Sequence, residues 1–186
     1  MNACDCRRGS LVVLAANPCP CGNYRAAAGR DGCTCSDQQR RRYQARVRGP
    51  VLDRVDITRH LAASSVTGAA AIDVSESTAA VRARVSAARD RQAIRFTGES
   101  WRLNGQVPGP ALRERWPLLP DGAVLLDQLL VDGRLTQRGA VRSHRLAWTI
   151  ADLAGTEAPG RAETEVALKL RSGDPLMAAW LERRAG

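Results

Sequence analysis

Leu11-Val12-Val13-Leu14-Ala15-Ala16-Asn17-Pro18-Cys19-Pro20-Cys21-Gly22, answered further on by Cys33-Thr34-Cys35, is unlike any other part of the 186-residue chain. The apolar run Leu11 to Ala16, rich in β-branched residues and closed by Asn-Pro, reads as a fully buried strand of the kind found in parallel sheets. Pro18 and Pro20 exclude a helix directly after it, and residues 22–32 read as a polar loop. Ser36-Asp37-Gln38-Gln39 has the spacing of a capping box, so a basic helix is expected over about Asp37 to Val47, ended by Gly49-Pro50. Val55 and Ile57 alternate with Asp56 and Thr58, which suggests a second, short strand.

Residues 62–75 are small and polar and read as a linker. Beyond them the pattern turns helical. Ser77 is placed to cap a helix running to about Phe96, with Val81, Val85 and Ala88 on one face. A loop over Gly98 to Pro110 and a short helical turn over Ala111 to Trp116, stopped by Pro117, come next. Helices are then expected at about 122–131, at 137–153 behind a Thr136 cap, and at 161–171. In the second of these, Leu146, Ile150 and Leu153 should pack inward. Trp101, Trp116, Trp148 and Trp180 read as packing anchors, because a buried indole supplies a large apolar area. The expected fold is therefore mainly α with a small α/β part. The boundaries are a lead-in at 1–10, the cysteine-loop piece at 11–61, the linker at 62–75, a helical domain at 76–173 and a tail at 174–186.

Composition bounds the function classes. A formal charge of +9 and a pI near 10.2 suit a nucleic acid or an acidic partner surface, or a piece of a larger protein whose remainder is more acidic. No run approaches the roughly 18 apolar residues of a membrane span. The apolar stretch Leu11 to Ala16 is shorter than the roughly 7–15 residues of a signal-peptide core, so a cytoplasmic location is expected. There, clustered cysteines are more often metal ligands than disulfides. Cys19, Cys21, Cys33 and Cys35 supply the four thiolates of a structural zinc site, on two short arms joined by a loop. A redox pair, a disulfide or unligated small residues remain open on the same spacing. Cys4 and Cys6 fit no pattern.

The order Asn-Pro-Cys-Pro-Cys-Gly, Cys-x-Cys-Ser, Arg-Tyr and Gly-Pro-x-Leu-Asp-Arg-x-Asp resembles the ComM/YifB family of AAA+ ATPases, relatives of the I subunit of magnesium chelatase. Val81-Arg82-Ala83-Arg84-Val85, Asn104, Pro108-Gly109-Pro110, Thr136-Gln137-Arg138-Gly139 and the run Arg145 to Gly155 resemble that family's helical lid. Together the resemblance covers roughly Leu11 to Gly173. It implies the C-terminal piece of an AAA+ core followed by an α-helical lid. It also implies, for the full-length family, a hexameric ring that hydrolyses ATP with Mg²⁺ to drive DNA branch migration.

Carried over residue by residue, the resemblance makes Asn17 the sensor-1 amide that orients the attacking water. It makes Arg54 the arginine finger that reaches a neighbouring subunit's nucleotide, and Arg138 the sensor-2 residue that contacts phosphates within its own subunit. Arginine suits both tasks because it stays charged and binds phosphate bidentately. Each has an ordinary alternative: Asn17 capping a turn, Arg54 pairing with Asp53 or Asp56, Arg138 as a solvated helix-start residue.

The sequence departs from the family in one respect. Lys169 is its only lysine, and no Gly-x-x-x-x-Gly-Lys-Ser/Thr loop is present. No strand ends in an Asp-Glu pair for Mg²⁺. Autonomous ATP hydrolysis is thus not expected, and ATP and Mg²⁺ belong to the full-length relatives. The lead-in Met1 to Gly9 also departs from the pattern, as a start codon inside a truncated or frameshifted gene would. Two other functions stay open. One is a non-catalytic, zinc-containing basic module that binds nucleic acid through Arg40-Arg41-Arg42-Tyr43. The other is a partner subunit that lends Arg54 to a P-loop ATPase. With the neighbouring strands of its sheet missing, Leu11 to Ala16 should present an exposed edge.

Overall fold

The computed structural model describes residues 11–24, 32–47, 54–61 and 76–176. These fall into two compact units, Met1–Arg54 and Val55–Gly186. The chain is mainly α. In the first unit, α1 (Asp37–Val47) starts where the capping box predicts. The Gln39 amide donates to Ser36 Oγ at 3.2 Å, and the Ser36 amide donates to Gln39 Oε1 at 2.8 Å.

The second unit contains α2 (Thr78–Arg95), a 3₁₀ turn (Asn104–Gln106), α3 (Gly109–Arg115), α4 (Pro120–Val131), α5 (Gln137–Ala154) and α6 (Arg161–Ser172). The expected caps are in place. Ser77 accepts from the Ala80 amide, and Thr136 accepts from the Gly139 amide. Helix α5 ends at Gly155 in the left-handed region, a conformation that costs glycine little.

Helix α5 is the hub. One side packs Ala147 and Ile150 against Leu118, Leu126, Val166 and Ala167 from the α4 and α6 region. Another places Trp148 in a cluster with Phe96, Val107 and Leu112, with Trp101 and Trp116 packed against it. Phe96 and Trp101 both meet Trp116 edge to face, with centroids at 5.2 and 6.2 Å. Three of the four tryptophans are thus packing anchors; Trp180 lies outside the described residues. Close approach between α4 and α6 depends on Gly122. A Cβ there would lie 2.8 Å from Thr164 Oγ1 and 2.9 Å from the Gly160 carbonyl carbon and oxygen. Gly122→Ala should therefore cost about 1–3 kcal/mol by overpacking, read as a lower urea midpoint with an unchanged slope.

Several local expectations fail for identifiable reasons. Among the described residues no β-strand forms, neither at Leu11 to Ala16 nor at Val55 to Ile57. A strand needs a ladder partner to satisfy its amides, and none occurs among the described residues. Leu11 and Val13 are 90% and 82% exposed, so the expected buried strand is neither a strand nor buried. In segment 55–61 the Thr58 amide donates to Leu170 O at the end of α6, at 2.7 Å, rather than to another strand. On α2, Val81 and Val85 are exposed and the buried face runs through Ala88 and Gln92 to Phe96. Leu153 on α5 is also exposed, because the helix turns Ile150, Ala151 and Asp152 inward at that level. The linker at 62–75 lies outside the described residues.

Candidate functional site

The cysteine loop is built by a tight turn. The Gly22 amide donates to Cys19 O at 3.0 Å, and Gly22 adopts a φ of 80° that only glycine takes without strain. This turn sets Cys19 Sγ 3.3 Å from Cys21 Sγ. Cys33 Sγ lies 3.7 Å from Cys19 Sγ and 3.6 Å from Cys21 Sγ. All four sulfurs, Cys35 included, lie within 4.8 Å of one another, and all are free thiols. A tetrahedral zinc with Zn–S bonds of about 2.3 Å places its sulfurs about 3.8 Å apart, so the residues fit the ion they were read to hold.

The second arm is held by the cap that follows it. Arg40 Nη1 donates to Cys35 O at 2.7 Å, pairs with Asp37 and stacks 4.7 Å from the Tyr24 ring centroid. Arg40 therefore serves the loop, and of the basic run only Arg41 and Arg42 remain exposed for phosphate contact. In the loop the thiols differ. Hydrogen bonds from the Asn23 backbone, the Cys19 side chain and the Thr34 backbone pull the Cys21 thiol down to about 5. Desolvation pushes Cys35 up to about 11. Asn17 stands beside this loop: a Cβ on Gly22 would be 3.7 Å from its Nδ2.

Arg138 lies elsewhere, in the helical unit. It lines a groove of about 450 Å³ with Gly109, Pro110, Arg113, Gln137, Val141, Arg142 and Arg145. Arg145 is oriented by donating from Nε and Nη2 to Val107 O, at 2.9 and 2.6 Å. Burial and the adjacent Arg142 lower its proton affinity. Arg142 pairs with Asp56 at 3.0 Å. On the buried side of α5, His144 Nε2 and Trp148 Nε1 both donate to Trp116 O at 2.9 Å. Burial above all holds His144 below its usual proton affinity. Arg54 is exposed and ends the first unit. The structure thus brings the four cysteines together, with Asn17 beside them, and sets Arg138 in an arginine groove of the other unit.

One cluster escaped the sequence reading. Asp152 is fully buried and takes both ends of the Arg95 guanidinium, with Nη1 at 3.0 Å from Oδ2. Asn104 Nδ2 donates to Asp152 Oδ2 at 2.8 Å and to Thr149 Oγ1 at 3.1 Å, while its Oδ1 accepts from Arg95. The Arg95 guanidinium also lies 4.1 Å from the Trp148 ring centroid. This clamp ties α2, the 3₁₀ turn and α5 together, and it fixes the helix that presents Arg138. The signal available was an Asp inside an otherwise apolar helix face, which needs a buried partner.

Comparison with known families decides what the two units are. Residues 75–171 match the family described as magnesium chelatase, subunit ChlI C-terminal, and residues 5–68 match magnesium chelatase, subunit ChlI. The chain belongs to the magnesium chelatase ChlI C-terminal family. The resemblance read from the cysteine and Asp-Arg motifs thus holds, and the chain is a YifB/ComM-type member of the magnesium-chelatase-like group. An uncharacterized protein of Mycobacterium tuberculosis is 40% identical over 160 residues, covering 86% of this chain and 31% of the relative. YifB of Escherichia coli is 32% identical over 174 residues, covering 89% of this chain and 31% of its own length. YifB of Salmonella typhimurium is also 32% identical, over 168 residues. The chain therefore spans about a third of the length of the curated relatives it matches. No solved structure matches it. No helix among the described residues is long and apolar enough to cross a membrane.

Proposed function

We propose that this chain is the sensor-and-finger end of a ComM/YifB-type AAA+ ATPase, a cytoplasmic hexameric ring whose full-length members hydrolyse ATP to drive DNA branch migration. The observation that carries this reading is Arg138 at the start of α5, facing a groove shared with three further arginines. Such a groove suits the charge that spreads over phosphate oxygens during phosphoryl transfer. On this reading Arg138 acts on the nucleotide of its own subunit, Arg54 on that of a neighbour, and Asn17 orients the attacking water.

Zinc held by Cys19, Cys21, Cys33 and Cys35 is a structural clip on the loop beside Asn17. Four protein thiolates fill a tetrahedral ion's coordination and leave no open position for substrate, so this centre positions residues rather than reacting.

The chain by itself is expected to show no Mg²⁺-dependent ATP turnover, since it has no P-loop lysine to hold the β- and γ-phosphates. In a full-length relative, alanine at the position matching Arg54 should lower ATP turnover by roughly 10³-fold or more, the scale of an arginine-finger loss. Steady-state phosphate release checks both statements. Robust turnover by the chain alone would refute the reading, as would wild-type turnover in the alanine variant.

A further inference from the structure

Arg40 is the member of the basic run that turns away from solvent. Its side chain is 11% exposed, whereas the next two residues of α1, Arg41 and Arg42, are exposed. A guanidinium taken out of water needs partners for its N–H groups and its charge. Three are in place. Nη1 donates to Cys35 O at 2.7 Å, Nη2 pairs with Asp37, and the group lies 4.7 Å from the Tyr24 ring centroid.

These partners belong to different parts of the cysteine loop. Tyr24 continues the arm that carries Cys19 and Cys21. Cys35 is itself one of the four clustered thiols and ends the other arm. Asp37 lies on α1, whose start is fixed by the reciprocal bonds of Ser36 and Gln39. Cys21 and Cys33 are 12 positions apart, so bringing the arms together costs loop-closure entropy. Arg40 touches both arms. Four thiolates around a divalent ion also leave a net negative centre, and a guanidinium held on the carbonyl of a ligand residue offsets part of that charge. Partners of this kind, one step beyond the ligand atoms, orient the ligands and tune the affinity for the metal.

We propose that Arg40 is a positioning residue of the metal centre, bridging the first arm, through Tyr24, to the second, through the Cys35 carbonyl. The two pairs of thiols are thereby held facing each other before an ion arrives. The inference rests on reading the four thiols as zinc ligands. It gives Arg40 a task other than the phosphate contact expected of the basic run. Lysine is a poor substitute, because an ammonium keeps the charge but lacks the planar fork that serves three partners at once.

Competition for zinc between the whole chain and a chromophoric chelator tests this, with the helix content of each variant followed by circular dichroism. Arg40→Gln should bind zinc about 10–100-fold more weakly than wild type, the usual cost of losing such a partner. Arg40→Lys should recover only part of that loss. Tyr24→Leu, which changes no residue of α1 or its cap, should weaken binding about 2–5-fold, the scale of an exposed cation–π contact. Added to Arg40→Gln, the same change should have no further effect, because the ring has already lost its partner. Arg41→Gln, exposed on the same helix, should bind as wild type. Cobalt(II) in place of zinc should give the same tetrahedral thiolate absorption in wild type and Arg40→Gln, showing that the ligand set is kept. Unchanged affinity in Arg40→Gln and Tyr24→Leu, or equal losses in Arg40→Gln and Arg41→Gln, would overturn the inference and leave the zinc reading standing. A wild-type chain that binds neither metal would overturn both.

Discussion

Asp152→Ala is expected to destabilise the helical unit by about 3–5 kcal/mol, the cost of leaving a buried charge without its partner. Arg95, whose side chain is 13% exposed, would keep Asn104 and the faces of Trp148 and Phe96, none of which carries a negative charge. Asn104 would in turn lose one of its two acceptors. The melting temperature should fall by roughly 10–20 °C, followed through the fluorescence of Trp148 and its neighbours. Asp152→Asn keeps the shape and one acceptor oxygen, so it should cost less, about 1.5–3 kcal/mol for the lost charge-assisted bonds. Because the clamp fixes α5, both variants should also weaken anion binding in the Arg138 groove. A change below about 1 kcal/mol in Asp152→Ala would show that α2, the 3₁₀ turn and α5 are held by apolar packing alone.

Removal of the proposed zinc should have a larger effect, confined to the first unit. Structural zinc in small domains contributes about 10–16 kcal/mol of apparent binding free energy near neutral pH, and much of it is folding free energy. The Gly22 turn and the Arg40 bond to Cys35 O hold the two arms of the loop, and the metal would tie one arm to the other. Of the chain's six cysteines, the four in the cluster should be protected from thiol reagents in the zinc-loaded protein, leaving Cys4 and Cys6 to titrate. After chelation, or in Cys33→Ser, the remaining thiols should all react. The pH dependence follows from the thiols themselves. In the metal-free loop Cys21, at about 5, is already a thiolate at neutral pH, whereas Cys35, at about 11, is protonated. Zinc must displace that proton. Apparent affinity should therefore rise with pH across the neutral range, by at least about tenfold per unit from Cys35 alone, and zinc should be lost on acidification. A zinc affinity independent of pH would contradict a four-thiolate site.

The helical part was legible because its signals are local. Ser36 with Gln39, Ser77 and Thr136 mark helix starts by side-chain chemistry within one turn, and all three caps form. The cysteine cluster was legible because four cysteines on two short arms have the number and spacing of a metal-ligand set. What could not be read depends on neighbours distant in sequence. Leu11 to Ala16 has the composition of a buried strand, yet a strand is a property of a ladder, and no partner strand occurs among the described residues. Val81 and Val85 have helical spacing, but the residues that turn inward on α2 are Ala88 and Gln92, set by where Asp152 anchors Arg95. The arginine groove was half visible. Arg138 stood out through its resemblance to a sensor, while Arg113 joins it only through the close approach of α3 to α5.

The central claim is that this chain supplies charge to a nucleotide held by a P-loop elsewhere, with Arg54 acting across a subunit boundary. Mixing two inactive full-length relatives tests it most directly, one carrying alanine at the position matching Arg54 and the other lacking its P-loop lysine. Each alone should release almost no phosphate. Together they should regain ATP turnover, because subunits with an intact finger then face subunits with an intact P-loop. Wild-type turnover by the alanine variant alone, or a mixture as inactive as its components, would contradict the account.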